Sequence, residues 1–193
     1  ALLVGVLISP ARQRITLLGK LVAPQPTVIA SESLVQNIQA MSQLTTAKYT
    51  IQTIVAVEER GPLGPLTRDR LLLRANADVL AGVDLGAITS NDVHIEGQSV
   101  TIALPAPELV SSDITYQVYD RNRGLFAPTN QDLQSLAQDQ ARADILKTAC
   151  EKGILTEAQQ NAEKTLRIFV SNLGFSTIHL VATPPPAGVC EAH

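Results

Sequence analysis

The sequence predicts an α+β fold in which a mostly antiparallel sheet has helices packed on one face, preceded by an apolar N-terminal segment. Three observations predict it. Strand patterns are concentrated between residues 48 and 119, two long helical patterns follow between residues 131 and 173, and a last strand pattern covers residues 176–183. The chain has 193 residues, 45% hydrophobic and 17% charged, which is enough apolar content for a core and excludes a disordered chain.

The first strands follow a predicted helix that starts at a serine cap, Ser31 or Ser33. Apolar residues at helical spacing form its buried face: Leu34, Ile38, Met41 and Leu44. Alternating β-branched residues then predict an antiparallel pair of strands over residues 48–58 and 71–83, joined by a long Gly-Pro loop. Gly82 is a candidate for a bulge or bend in the second strand.

A tight hairpin is predicted over residues 93–104, with Gly97 at its turn. Pro105 and Pro107 are expected to end its second strand. A shorter strand over residues 114–119 and a loop from Asp120 to Pro128 complete this part of the chain.

Two helices are predicted next, over residues 131–152 and from Thr156 onward. Gly153 should stop the first, and Thr156 with Gln159 matches a capping box for the second. The first helix is rich in alanine, which permits close packing. Its predicted core stripe is Leu136, Ala143, Leu146 and Cys150, and that of the second is Ala158, Ala162, Thr165, Leu166, Phe169 and Leu173.

The chain divides into an N-terminal anchor or assembly arm with a Pro-containing linker (1–28), a single α+β domain (29–183) and a Pro-rich tail (184–193). The opening run is wholly apolar but too short to span a bilayer by itself. It fits the end of a membrane-spanning or signal-anchor helix, a strand that pairs with its own or a neighbour's sheet, or a segment buried in the core. The candidate membrane or assembly residues are Leu2, Leu3, Val4, Val6, Leu7 and Ile8.

Charge and cysteine content favour opposite sides of a membrane. Residues 1–31 contain three basic and no acidic residues, a net charge of +3, and such a flank is typical of the cytoplasmic side. Cys150 and Cys190 have no zinc-ligand spacing, and a bridge between them would tie the tail to a helix and indicate an oxidising compartment. Because three charges are a weak bias, we give more weight to the cysteine pair and predict an extracytoplasmic, membrane-associated location.

The least usual segment of the domain is the predicted loop with Asp120, Arg121, Arg123 and Phe126. Its two arginines could hold an anion or a partner's carboxylate bidentately. The simpler interpretation, which we prefer, is that Asp120 pairs with the arginines while Leu125 and Phe126 fill the core.

No catalytic or cofactor motif is present, which predicts a non-enzymatic protein without cofactors or metal. His94 with Glu96 could share a strand face, but a metal site needs more ligands. The net charge of −3 and the absence of Trp argue against a nucleic-acid partner.

The chain resembles a bacterial family catalogued as domain of unknown function 4230. The resemblance covers most of residues 45–183 and is carried by the blocks LLLRANADVLAGVDLGAI (71–88), LPAPELVSSDI (104–114), VYDRNRGLFAP (118–128) and EAQQNAEKTLRIFVSNLGF (157–175). It implies a single domain held behind an N-terminal membrane helix or signal segment. The family has no assigned activity, so the resemblance implies no particular chemistry.

These observations predict a membrane-associated extracytoplasmic domain that acts through protein–protein contacts, with a protein partner or a second copy of itself. The alternative is a carrier or sensor of a small apolar or lipid-like ligand, held between the sheet and the Ala-rich helices.

Overall fold

The computed structural model describes residues 31–127, 132–186, 188 and 190. Within these residues, three α-helices and six β-strands form an α+β fold, as predicted from the sequence. In chain order they are α1 (Ser31–Gln39), β1 (Gln43–Arg60), β2 (Arg68–Asp84), β3 (Val93–Glu96), β4 (Ser99–Leu104), β5 (Pro107–Arg123), α2 (Asp132–Glu151), α3 (Ile154–Asn172) and β6 (Thr177–Ala182). The predicted N-terminal arm, residues 1–28, lies outside the described residues.

A long antiparallel sheet in the order β1-β2-β5 dominates the fold. Its strands have 17 or 18 residues, so each is about 55 Å long at roughly 3.3 Å per residue. The predicted antiparallel pair 48–58 and 71–83 is confirmed, and both strands extend beyond the predicted ends. The loop between them contains a short 3₁₀ turn, Gly64–Thr67.

A bulge near the start of β1 positions a helix. The register between β1 and β2 shifts between Thr45 and Ala47, which leaves Thr46 out of the ladder. The Thr46 hydroxyl donates to the carbonyl oxygen of Ala158 at 2.7 Å, and its carbonyl oxygen accepts from Asn161 at 3.0 Å. The predicted irregularity therefore lies opposite Gly82, in the partner strand, and docks α3.

A smaller sheet has the order β3-β4-β6. Its β3–β4 pair is the predicted hairpin, with Gly97 at a positive φ of 62° in the turn. Strand β6 pairs with β4 in parallel, from Ser99 opposite Thr177 to Leu104 opposite Ala182. The 3₁₀ turns Leu85–Ala87 and Ser90–Asp92 connect the two sheets.

Helices α2 and α3 follow one another along β1 and cover the same face of the long sheet. The α2 side of this interface is lined by small residues: Ala137, Ala141 and Ala149 are 0% exposed and face the sheet alanines Ala75, Ala77 and Ala81. A second cluster joins α1, the small sheet and the end of α3, around Leu34, Ile102 and Leu166.

The loop predicted from Asp120 onward is in part a strand, because β5 extends to Arg123. This strand starts at Pro107, where the sequence predicted that a strand ends, and it continues through Asp120 to Arg123. Pro107 begins the strand, a position at which its missing N–H costs no ladder bond. Because β5 is an edge strand with one solvent-exposed face, its polar residues hide the alternation that predicts strands.

Two helix assignments are also corrected. The buried stripe of α2 is Leu133, Ala137, Ala141, Ile145 and Ala149, whereas the predicted stripe residue Leu136 is 57% exposed. Helix α3 begins at Ile154 directly after Gly153, so Thr156 is not its cap. Gln159 is buried at 8% exposure instead of completing a capping box.

In the part of the chain that the structure describes, no helix is both long and apolar enough to cross a membrane.

Candidate interaction surfaces

The long sheet has one face that no described helix covers. Side chains of β2 alternate between the buried face, as at Leu73 and Val79, and this second face, which we call the open face. It displays Leu72, Arg74 and Leu80 from the central strand, with mostly polar neighbours. Three strands of about 55 Å, spaced by about 4.8 Å, make this surface roughly 800 Å² in area.

The open face carries pairs of polar side chains and one largely exposed apolar side chain. Asp78 accepts from Thr50 at 2.7 Å and forms an ion pair with Lys48 at 2.9 Å. The hydrogen bond from Lys48, followed by that from Thr50, lowers the pKa of Asp78. Ile54 lies opposite Arg74 and is 58% exposed, which is unusual for a β-branched residue in the middle of a strand.

A buried carboxylate organises the end of the sheet distant from α1. Asp69 is 1% exposed, and its oxygens accept from Arg121 at 2.7 and 3.2 Å. Arg123 lies 3.6 Å from the same carboxylate. The hydrogen bond to Asp69 raises the pKa of Arg121. The predicted partner, Asp120, instead lies opposite Leu72, on the other face of β5.

A second carboxylate with two arginines lies next to the first. Glu58 accepts from Arg68 at 2.5 Å and also from Arg60. These bonds, with that from Arg68 the larger cause, lower the pKa of Glu58 to about 2. Neither carboxylate was predicted from the sequence as a site residue. The only signal was the Arg-Asp-Arg run, residues 68–70, at the start of an otherwise apolar strand.

The two loops at this end carry exposed apolar side chains. Leu63 and Leu66 from the β1–β2 loop are 62% and 48% exposed, and Leu125 and Phe126 after β5 are 86% and 67% exposed. We call these four residues the apolar tip. The prediction that Leu125 and Phe126 fill the core is therefore wrong. Their loop is held outward because the Phe126 N–H donates to the Leu66 carbonyl oxygen at 2.9 Å.

A cleft of about 470 Å³ lies beside the tip, between the end of β1 and the start of α2. Carboxylates dominate its lining, with Glu58, Glu59, Asp132 and Asp139 around Leu133 and Leu136. The cleft lies between sheet and helix, as the predicted ligand site does, but its four carboxylates differ from the apolar lining expected there. The carrier or sensor alternative thus stays a prediction.

The predicted bridge between Cys150 and Cys190 is present, with 5.8 Å between the two Cα atoms. Both cysteines are partly buried against the core of the long sheet. The bridge ties the tail beyond β6 to the end of α2.

The two histidines in the described part of the chain lie apart from these surfaces. His94 and His179 are exposed on opposite sides of Thr101, one strand away on each side in the small sheet. Hydrogen bonds from Thr89, with a smaller effect of His94, lower the pKa of Asp92. Over the described ranges, no three His, Cys, Asp or Glu side chains are placed to hold a metal ion.

Comparison with known proteins identifies a family and no activity. No curated protein and no solved structure has a significant match to the chain. The profile of one family, described as protein of unknown function (DUF4230), matches residues 36–180, which include all six strands except the last two residues of β6. The chain therefore belongs to the DUF4230 family of proteins of unknown function.

Proposed function

We propose that this protein is a non-enzymatic, membrane-associated domain on the extracytoplasmic side that acts through protein–protein contacts. The observation that carries the proposal is the open face of the long sheet. Its area of roughly 800 Å² matches the surface that each partner contributes to a standard protein–protein interface, about 800 Å².

The pattern of side chains on the open face supports a protein partner. Ile54 and Leu72 provide apolar contact, and Arg74 beside them provides the donors that are enriched at interface centres. A second copy of the chain is one such partner, since the edge strands β1 and β5 each present a long row of backbone groups.

Two further observations support the location. The apolar residues 1–8 followed by basic residues fit a segment that attaches the domain to a membrane. The Cys150–Cys190 bridge is typical of domains that mature in an oxidising compartment.

Site-specific photo-crosslinking in cells tests the proposal. A photoreactive amino acid at position 54 should give a discrete protein adduct. If the partner is a second copy, the adduct has twice the mass of the chain. The matched control is position 168, which is 64% exposed on α3 and therefore equally accessible but distant from the open face. Adducts that form equally from both positions, or from neither, would contradict an interface on the open face.

A further inference from the structure

The apolar tip is an uncharged end on a charged molecule. The two loop segments that form it, residues 61–67 and 124–127, contain no charged side chain. Four of their side chains are large, apolar and exposed, by 48% to 86%. Isolated exposed apolar residues are common, but adjacent ones on two loops mark a surface that contacts something apolar.

Several backbone N–H groups of the tip have hydrogen-bond acceptors in or beside its two loops. Residues 61–65 include two prolines, which have no N–H, and the other three N–H groups all have acceptors within the loop. In the adjoining loop, Gly124 and Phe126 donate to the carbonyl oxygens of Arg68 and Leu66 at 2.7 and 2.9 Å. Donors that already have partners can enter a lipid environment without the large cost of an unpaired polar group.

Arginines flank both segments where they leave the tip. The first segment lies between Arg60 and Arg68, and the second directly follows Arg123. The side chains of these three residues, which we call the arginine collar, are 77%, 43% and 36% exposed. Such a ring of long cationic side chains below apolar ones suits the phosphate level of a bilayer.

The two segments that form the tip and its collar are less acidic than the rest of the domain. Glu58 and Asp69 are each shared by two arginines, and Glu59 lies opposite Asp69, so these seven side chains together carry a net charge of +1. Residues 58–70 and 120–126 together hold five basic and four acidic residues. The rest of the chain from residue 32 holds 7 basic and 14 acidic residues, so these two segments are less acidic than the rest of the domain, and Asp132 and Asp139 of the cleft lie beside them.

We propose that the apolar tip inserts into the interface of an anionic lipid bilayer, with the arginine collar at the level of the phosphates. Leu63, Leu66, Leu125 and Phe126 enter the acyl boundary, and Arg60 and Arg123 contact headgroup phosphates. A fluid bilayer accepts such a convex end without a complementary pocket, which a protein partner would have to supply. Its four apolar residues lie in loops, outside the strands that form the open face.

Tryptophan fluorescence reports insertion at one site, since the chain has no Trp. The full chain with Phe126→Trp is mixed with vesicles of phosphatidylcholine and phosphatidylglycerol in equal parts. We expect the emission to shift to shorter wavelength and to be quenched by brominated lipid. Ile168→Trp, at a position 64% exposed on α3, is the matched control and should show neither change. Leu125→Trp repeats the measurement at a second tip position.

Flotation with the same vesicles measures how much the apolar tip and the arginine collar each contribute to membrane binding. Replacing Leu125 and Phe126 by Ser should lower the partition coefficient about tenfold or more, because two buried apolar side chains are lost. Arg60→Gln should lower it about fivefold on the anionic vesicles and leave binding to pure phosphatidylcholine unchanged. Ile168→Ser should float like the unaltered chain.

Three results would overturn the proposal, whatever the outcome of crosslinking at the open face. The first would be a chain that floats with the vesicles while the fluorescence of Trp at position 126 and at position 125 does not change. Pure phosphatidylcholine shifts the emission as strongly as anionic vesicles. The emission shifts with protein concentration in the absence of vesicles, which would assign the tip to a second copy of the chain.

Discussion

At the scale of single residues, Asp69 is a buried carboxylate whose charge is balanced by arginines. It is 1% exposed and lies between Arg121 and Arg123. We expect Asp69→Asn to destabilise the protein by about 3 kcal/mol, because two partly buried guanidinium groups then lose their counter-charge. Urea unfolding followed by circular dichroism measures this change.

The matched control for that substitution is Asp78→Asn. Asp78 also pairs with a cation, Lys48, but on the solvent-exposed open face. Exposed pairs contribute little, so its unfolding midpoint should stay within error of the unaltered chain. Equal midpoints for both variants would show that Asp69 is not held as the structure places it.

The lowered pKa of Glu58 leads to a prediction of how the stability of the protein depends on pH. Its carboxyl has a pKa of about 2 in the folded protein, chiefly because Arg68 donates to it, against an ordinary value of 4.5. A group with a lowered pKa contributes stability above the unfolded value, and this contribution is lost as the pH falls through the folded value. We therefore expect the unfolding midpoint of the unaltered chain to exceed that of Glu58→Gln above pH 4.5.

That difference should shrink as the pH falls from 4.5 toward 2, with both proteins measured in urea at each pH. Arg60→Gln, which removes the smaller of the two hydrogen-bond effects, should give an intermediate curve. A constant difference across this range would contradict the assignment of the carboxyl.

At the scale of elements, what could be predicted depended on how much of each strand or helix is buried. β1 and β2 were predictable because their alternation is strong, as at residues 49–57 and 71–83. β5 was predicted correctly only over residues 114–119, since its exposed edge position lets Asp120 and Arg121 occupy strand positions. The stripe of α2 was misplaced because its buried face consists mostly of small alanines, whereas the more hydrophobic Leu136 lies exposed.

The junction of α2 and α3 depends on one glycine. Gly153 has φ +85°, and a Cβ there would meet no atom within 4 Å, so the cost of substitution is conformational only. We expect Gly153→Ala to lower stability by about 1 kcal/mol in urea unfolding. Gly153→Asn is the control and should lose less, because Asn adopts the left-handed conformation more readily. An unchanged stability for Gly153→Ala would contradict this backbone geometry.

At the scale of the whole molecule, the candidate surfaces depend on pairings between distant segments, which explains why they escaped prediction. Asp69 and Arg121 are 52 residues apart and meet only because β2 and β5 pair in one register. The apolar tip likewise needs both loops, since the arginine-flanked segments 61–67 and 124–127 look like separate turns in the sequence. In contrast, the Cys150–Cys190 bridge was predictable because there were only two cysteines.

The bridge joins the tail to the helical layer, and its removal should affect the whole fold. It closes a loop with a sequence separation of 40, for which chain entropy predicts about 4 kcal/mol of stabilisation. We expect dithiothreitol to lower the urea midpoint of the unaltered chain accordingly. The double variant Cys150→Ser with Cys190→Ser should have that lower midpoint already and should not respond to dithiothreitol. If reduction leaves the midpoint of the unaltered chain in place, the bridge does not constrain the unfolded chain as proposed.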